Sequence, residues 1–359
     1  NMEIKKEILK ITKELIKIKT DPDNLKELSK ALDYVKSFLK AYTIENFESN
    51  GSKSVLVYNS NKRPEKFDLL LNCHLDIIPG KDFQYSPVIK GDKLYGVGAM
   101  DMKGNLVAAM LAFKHACKNL DKKIAIQFVT DEEIGGFNGT KYQIQEGLKT
   151  NFVLATEPTN FDIVNEAKGA LQLEISHKGQ TAHGAYTWKG ENSVLQLQKL
   201  LSKILKKYPI PKKAHGKTTV NVAGFICENQ SFNKVPDNAK ILLDIRFEPK
   251  EYSKILSKFE KLICNNFEIK INAFEAPLNV PKKNDYLQLL KKITENQING
   301  KIKFYRANGS SDARHFTKVG TPGIEFGPIG HGIGCDDEWV SIDSLVDYYY
   351  IIKEFILRV

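Results

Sequence analysis

Hydrophobic residues recur at helical spacing near the start of the chain. Side chains three and four positions apart share one face of a helix, so the pattern predicts two amphipathic helices. Their apolar faces hold Ile4, Ile8, Ile11, Leu15 and Ile18 in the first helix, and Leu25, Leu28, Leu32, Val35 and Leu39 in the second. Lysine alternates with isoleucine over residues 2–19, which argues against a secretory leader.

Short apolar runs then alternate with further helical patterns. Strands are predicted over residues 54–58, 66–72, 123–130 and 152–155, helices over 104–117 and 141–147, and a glycine-punctuated loop over 91–98. The strands are apolar almost throughout, as in a parallel sheet that is covered on both faces. We therefore expect an α/β fold whose sheet is mostly parallel.

The pattern changes over residues 169–276. Here the predicted order is strand, helix, strand, strand, helix, strand. This β-α-β-β-α-β order is typical of a ferredoxin-like α+β unit. The α/β pattern resumes afterwards, so we predict a discontinuous α/β domain formed by residues 1–168 and 277–359, with the α+β domain inserted into it.

Composition excludes several classes of protein. The chain is 42% hydrophobic and 27% charged, which is typical of globular domains. Its apolar runs are far shorter than the roughly 20 residues of a membrane span, so no membrane partner is expected. The cysteines are scattered and form no C-x-x-C pair, which argues against a disulfide framework and favours a reducing cytoplasm. They are Cys73, Cys117, Cys227, Cys264 and Cys335.

The formal net charge of +10 raises the question of nucleic-acid binding, because cationic surfaces attract phosphate. The basic residues, however, are spread over most predicted helices, without a dense run or interleaved aromatic residues. We interpret them as a lysine-rich solvated surface and expect no nucleic-acid partner. The few arginines matter more, because guanidinium binds carboxylates bidentately. They are Arg63, Arg246, Arg306, Arg314 and Arg358.

Acidic side chains and one histidine follow the predicted buried strands or precede the helix that starts at residue 104. They are His74 and Asp76, then Asp101, then Glu132 and Glu133, and finally Glu157. Taken singly, each has a simpler explanation, namely a structural histidine, a helix N-cap or a solvated acidic turn. Because the carboxyl ends of parallel strands meet at one edge of a sheet, we expect these residues to converge, and separate explanations do not account for that.

Histidine and carboxylate ligands without cysteine suit zinc, cobalt or manganese. Two cations about 3.5–4 Å apart could share one carboxylate and activate a bridging water. A further carboxylate must then take the proton of that water, and the adjacent Glu132 and Glu133 can divide the two tasks. Because alternate residues of an extended chain point to the same side, Asp76 can orient the ring of His74.

The segments HLD, LYGVGAMDMKG, TDEEIGG and ATEPT resemble those of the dinuclear-zinc aminoacylase and carboxypeptidase family, of M20 type. The resemblance covers nearly the whole chain. It implies that His74 and Glu157 bind one zinc ion, that Glu133 binds a second and that Asp101 bridges the two. It also implies that Glu132 is the general base and that Asp76 orients His74.

The inserted region takes part in the same resemblance. Residues 179–184, GQTAHG, match the family's G-x-x-A-H motif, and in the family the inserted domain is a lid or dimerisation domain. This implies a homodimer formed through residues 169–276, in which His183 reaches the partner's site and stabilises the oxyanion. Arg246 and Arg314 lie in segments similar to those that bind a substrate carboxylate, with surface ion pairs as the alternative.

One position departs from the family's pattern. The second zinc should also be bound by a histidine in a His-x-x-Asp/Asn-Glu segment, and the matching position here is Gly334. His331 is the favoured replacement. Cys335, Asp336 or water could also take the position, and a weakly held or absent second metal stays open.

The sequence thus predicts a cytoplasmic amidohydrolase with two zinc ions per subunit, cobalt or manganese being alternatives. Its expected substrate is an N-acylated amino acid, as for the family's succinyl-diaminopimelate desuccinylases and acetylornithine deacetylases. A metallo-dipeptidase or carboxypeptidase is one alternative. Another is a catalytically impaired relative that binds acylated amino acids or acts as an assembly protein.

Overall fold

The computed structural model describes residues 2–213, 216–264 and 266–359, which divide into two compact units. The first unit contains the residues up to Glu166, Leu278–Tyr305 and Ser311–Val359. The second contains Ala167–Pro277 and Arg306–Ser310. The segment Arg306–Ser310 therefore belongs to the second unit, although it lies between two segments of the first.

The helices in the described residues are α1 (Met2–Lys17), α2 (Leu25–Ser37), α3 (Gly104–Ala116), α4 (Thr140–Gln145), α5 (Ser193–Lys207), α6 (Ile255–Ile263), α7 (Asp285–Gln297), α8 (Ala313–Lys318) and α9 (Ile342–Arg358). The strands there are β1 (Thr43–Ser49), β2 (Ser52–Tyr58), β3 (Leu69–His74), β4 (Val88–Lys90), β5 (Lys93–Tyr95), β6 (Ile124–Val129), β7 (Val153–Ala155), β8 (Ile163–Ala167), β9 (Gly169–Lys178), β10 (Thr219–Ile226), β11 (Asn238–Phe247), β12 (Glu268–Glu275), β13 (Leu278–Asn279), β14 (Phe304–Ala307), β15 (Gly323–Glu325), β16 (Gly330–His331) and β17 (Trp339–Ser341).

The central sheet of the first unit has the order β1-β2-β6-β3-β7-β15-β8-β13, and β14 pairs with β8. Its middle strands β6, β3, β7 and β15 are parallel to one another, whereas β1 and β2 are antiparallel to their neighbours. Every residue of β3, β6 and β7 is buried, which accounts for their continuous apolar runs. The parallel arrangement brings the carboxyl ends of these three strands to one edge of the sheet.

Helix α3 is the most deeply buried helix beside this sheet. All of its residues from Gly104 to Phe113 are buried, as expected of a helix that is apolar on every side. It packs against α1 and α9 in the main hydrophobic core. Because α3 begins directly after Asp101–Lys103, the loop that carries Asp101 is anchored to the rigid centre of the unit.

A second, small antiparallel sheet of the first unit has the order β16-β17-β5-β4. Strand β5 lies within residues 91–98, where the sequence predicted only a loop, so that part of the prediction was wrong. Its residues pair with β17, which is more than two hundred residues later in the chain. The short hydrophobic pattern is insufficient to predict such a strand, because long-range pairing forms it.

The second unit is built on the antiparallel sheet β10-β11-β9-β12, with α5 and α6 packed on its apolar face. Residues of β9 and β11 alternate between buried and exposed, as expected for a sheet covered on one face. Asn192 caps α5 by accepting from the N–H groups of Val194 and Leu195. The chain order of these elements is β-α-β-β-α-β, so the predicted fold class, α/β with a ferredoxin-like insertion, is confirmed.

In the described residues, no helix combines the length and the apolar character that crossing a membrane requires.

Candidate metal centre

His74 is the last residue of β3, and its side chain is buried. Its Nδ1 lies 2.9 Å from the backbone oxygen of Asp76. Because a carbonyl oxygen only accepts, Nδ1 carries the proton of this hydrogen bond. Its Nε2 lies 3.1 Å from Oδ1 of Asp101 and 3.8 Å from Oε1 of Glu157. One ring nitrogen is therefore fixed by the backbone and the other faces carboxylates, as in a metal-binding histidine.

The acidic loop after β6 separates its three carboxylates. Asp131 is buried, and its Oδ2 accepts hydrogen bonds from the backbone N–H groups of Asn138, at 2.7 Å, and Gly139, at 3.1 Å. It therefore fixes the loop at the start of α4. Glu132 and Glu133 lie in the short helical turn that follows, and their side chains lie among the candidate donors.

Asp76 connects the two strand ends. Its Oδ2 accepts from the backbone N–H of Glu133 at 2.8 Å, and its Oδ1 lies 3.5 Å from Nδ1 of His74. The sequence predicted that the side chain of Asp76 orients His74, whereas the atom within hydrogen-bond distance of Nδ1 is the backbone oxygen of Asp76, and Oδ1 has no hydrogen-bond partner in the described residues. The sequence did not predict the contact of Oδ2 with Glu133, because residues 76 and 133 belong to different loops and no local pattern relates them.

Five of the predicted side chains come together in two groups that share His74. In one group the donor atoms of His74, Asp101 and Glu133 all lie within 4.8 Å of one another. In the other the same holds for His74, Glu132 and Glu157. The proposed base, Glu132, thus lies among the proposed ligands.

These carboxylates repel one another in a buried place. Burial, with the negative charge of Asp101 adding to it, raises the pKa of Glu133 to about 7 and that of Glu157 to about 8. Burial and the charge of Glu157 raise the pKa of Glu132 well above its usual value. Such a cluster is fully ionised near neutral pH only if positive charge balances it.

The donor atoms fit a cation. Among the described residues, Oε1 of Glu133 and Oε1 of Glu157 are buried and have no hydrogen-bond partner. A buried oxygen without a partner is costly, and a bound metal ion would satisfy both. Nitrogen and carboxylate donors without thiolate suit zinc, cobalt or manganese.

Comparison with known proteins identifies the family. The model of "Peptidase family M20/M25/M40" matches residues 70–358. The chain belongs to this family. It is 29% identical to the succinyl-diaminopimelate desuccinylase of Pelagibacter ubique, over 96% of this chain and 97% of the relative. It is 28% identical to the [LysW]-lysine/[LysW]-ornithine hydrolase of Sulfurisphaera tokodaii, over 92% of each protein.

The fold also matches a solved member of family M20. The metallo-carboxypeptidase Sso-CP2 from Sulfolobus solfataricus superposes with a TM-score of 0.75 at 20% identity, covering 98% of both chains. The predicted family and the prediction of a hydrolase that acts on amide bonds are confirmed. Membership also favours the enzyme over the catalytically impaired relative that the sequence left open.

The position at which the M20 pattern breaks lies between β16 and β17. Gly334 has a left-handed φ of +68°, and a Cβ built there would contact only Ile78, at 3.2 Å. A cavity of about 230 Å³ lies alongside, lined in part by Ile78, Gly334 and Cys335. His331 is an exposed residue of β16 and belongs to neither donor group. Asp336 is exposed and paired with Lys81.

Arg314, which the resemblance placed in a segment similar to those that bind a substrate carboxylate, lies beside the acidic loop. Its side chain is buried, and Nη1 donates to the backbone oxygen of Ser311 at 2.9 Å. Nη2 donates to the backbone oxygen of Gly135 at 2.6 Å, and Nε2 of His315 lies 2.9 Å from the same oxygen. Arg314 thus holds the turn that follows Glu132 and Glu133.

The two remaining predicted residues belong to the second unit. His183 is exposed, and its Nδ1 accepts from the backbone N–H of Ala185 at 3.1 Å. Its Nε2 is therefore the nitrogen that carries the proton. Arg246 lies on β11, and its Nε donates to Oδ2 of Asp244 at 3.0 Å. Its side chain is about two-fifths exposed.

Removal of metal should destabilise the protein more at about pH 8 than at about pH 5. In the metal-free protein Glu133 and Glu157 titrate near pH 7 and 8, whereas their ordinary value is 4.5. Between these values the folded protein binds more protons than the unfolded chain, so its unfolding free energy falls as pH rises through this window. Thermal unfolding with chelator or with zinc checks this. An equal difference in melting temperature at both pH values would contradict it.

Gly334→His should increase retention of the second zinc ion. The adjacent cavity admits an imidazole, and histidine tolerates a left-handed φ better than most residues do. Metal content after dialysis against a weak chelator measures the effect. Gly334→Ala is the matched control, because it introduces the same backbone strain without a ligand. Equal zinc content in the wild type and the histidine variant would indicate that the second site is already complete.

Proposed function

We propose that this M20 enzyme is a zinc-dependent deacylase that hydrolyses the amide bond of an N-acylated amino acid, with N-succinyl-diaminopimelate as the first candidate substrate. The observation that carries the proposal is the convergence of the two donor groups around His74 at the carboxyl edge of the parallel strands. The similarity to a succinyl-diaminopimelate desuccinylase over 96% of the chain supports the choice of substrate.

We propose two metal positions. His74 and Glu157 would hold one ion, Glu133 the other, and Asp101 would be shared between them. Bound zinc polarises the amide carbonyl and lowers the pKa of a coordinated water. Asp76 would hold the ring of His74 through its backbone oxygen, 2.9 Å from Nδ1, and the backbone of Glu133 through its Oδ2, at 2.8 Å.

Glu132 is the proposed general base. Its carboxylate takes a proton from the attacking water and delivers it to the nitrogen of the leaving amine. Burial favours the protonated form of this carboxyl group, so it can hold the proton between the two transfers.

The second unit would contribute to substrate binding and to assembly. The motif of residues 179–184 supports a homodimer formed through this unit, in which Nε2–H of His183 stabilises the oxyanion in the partner's site. The guanidinium of Arg246 would bind a carboxylate of the substrate. The scattered free cysteines support a cytoplasmic location.

Glu132→Gln should lower kcat by about 10²- to 10⁴-fold, the contribution expected of a general base. Zinc content should stay unchanged, because the proposal gives Glu132 no ligand role. A substrate panel of N-succinyl-diaminopimelate, N-acetyl-ornithine and a dipeptide, assayed by release of free amine, tests the specificity in parallel. We expect the succinylated substrate to have the highest kcat/KM.

Glu48→Gln is the matched control, because Glu48 is an exposed carboxylate on β1. It should leave both kcat and zinc content unaffected. Loss of zinc from the Glu132→Gln variant would instead make Glu132 a ligand, as its grouping with His74 and Glu157 allows. Fastest turnover of the dipeptide would replace the deacylase proposal with a peptidase.

Mixing two inactive variants tests the dimer. His183→Ala and Glu132→Gln should each abolish most activity when assayed alone. In a mixed dimer one site combines an intact Glu132 with the partner's intact His183, so refolding an equal mixture should restore roughly a quarter of wild-type activity. Sedimentation establishes that dimers form. If the mixture stays inactive although dimers exchange, His183 does not act across the dimer.

A further inference from the structure

Glu338, the residue before β17, directs a buried carboxylate at the backbone of the loop that carries Asp101. The residue is only 3% exposed. Its Oε1 accepts from the backbone N–H groups of Met100, at 2.8 Å, and Asp101, at 3.0 Å. Its Oε2 accepts from the N–H of Gly98 at 3.0 Å. Three backbone donors of one loop therefore converge on one side chain, while the N–H of Ala99 between them donates to the carbonyl oxygen of Gly96.

The backbone of Glu338 is attached to the same region. Its carbonyl oxygen accepts from the N–H of Gly96 at 3.2 Å. The next residue, Trp339, pairs with Tyr95 in the small sheet. The backbone of Glu338 is therefore fixed next to the loop by the pairing of β17 with β5. The register of this strand pair determines where the carboxylate meets the loop.

The loop needs such a partner. Asp101 has φ −120° and ψ 93°, which are not helical values, so the N–H groups that precede α3 have no place in a regular helix. Buried backbone donors without an acceptor are costly. A carboxylate satisfies three of them because both of its oxygens only accept. A glutamine amide would offer one oxygen and would turn its NH₂ group towards another donor.

We propose that Glu338 is a positioning residue for the metal centre, which holds the backbone of residues 98–101 so that the carboxylate of Asp101 stays beside His74. The distance that it maintains is the 3.1 Å between Oδ1 of Asp101 and Nε2 of His74. The inference rests on the proposed function, in which Asp101 is the ligand shared by two metal ions. Glu338 touches neither metal nor substrate and acts through the loop.

The test compares Glu338→Gln with wild type. The first readout is amide hydrogen exchange of residues 96–101 in the metal-free protein, which needs no metal and no substrate. The second is zinc affinity from chelator competition, and the third is the separate measurement of kcat and KM. Glu45→Gln is the matched control, because Glu45 is a partly buried carboxylate that binds Tyr58 and Arg63 on the edge strand β1.

We expect Glu338→Gln to speed exchange in residues 96–101 and to weaken zinc binding by about 10- to 100-fold, the usual effect of removing a group that orients a metal ligand. The variant should lower kcat more than it raises KM, since the loop positions Asp101, which the proposed function places at the metal ions rather than in contact with the substrate. Glu45→Gln should change none of these. If Glu338→Gln does not fold, Glu338→Asp carries the same test, because it keeps both oxygens and shifts them by one methylene.

Unchanged exchange in residues 96–101 would overturn the inference. Faster exchange with unchanged zinc affinity and kcat would also overturn it, since the hydrogen bonds of Glu338 would then support only the fold and not the metal centre. Failure of the wild type to bind zinc would be a different result, because it would refute the proposed function, whereas the exchange measurement would still decide whether Glu338 holds the loop.

Discussion

The mutual repulsion of partly buried carboxylates around His74 is the constraint on which the candidate metal centre depends. Four acidic side chains lie around one buried imidazole, so their like charges are close together. In the absence of a cation, the backbone and the contacts of Asp101 and Glu157 with the His74 ring hold them together. Three further carboxylates, which do not belong to either donor group, accept hydrogen bonds from the main chain of the loops that carry the candidate ligands. These are Asp76 on Glu133, Asp131 on Asn138 and Gly139, and Glu338 on residues 98–101. A fixed backbone thus converts electrostatic repulsion into affinity for metal.

The loop that carries Glu132 and Glu133 packs tightly against the residues that support it. Gly136 has a φ of +63°, and a Cβ there would lie 1.8 Å from Oδ1 of Asp312. Only glycine allows the turn to close over that carboxylate, whose Oδ2 accepts from the hydroxyl of Thr140 at 2.6 Å. From the same side, Arg314 holds the carbonyl of Gly135. Helix α8, which carries Arg314, therefore acts on the metal centre without supplying a ligand.

The sequence alone was sufficient to predict the features that depend on neighbouring residues in the chain. Continuous apolar runs predicted β3, β6 and β7, and the carboxyl-edge rule predicted which acidic residues would meet. Strand β1 was missed because its residues are half-exposed and carry no apolar run. The support provided by Glu338 and Arg314 could not be predicted, because each contact joins residues more than 170 positions apart. Acidic or basic character alone does not distinguish a ligand from a residue that holds the ligand's backbone.

Among the described residues, every donor atom of both groups belongs to the first unit. In the proposed function, metal affinity depends on the loops around His74 and their supports, whereas the oxyanion and carboxylate contacts depend on His183 and Arg246. The two properties can change independently. On this proposal, a variant of His183 or Arg246 retains its full metal content and still lacks activity. Metal content therefore reports whether the ligands of the first unit are in place. Only turnover reports the contribution of the second unit.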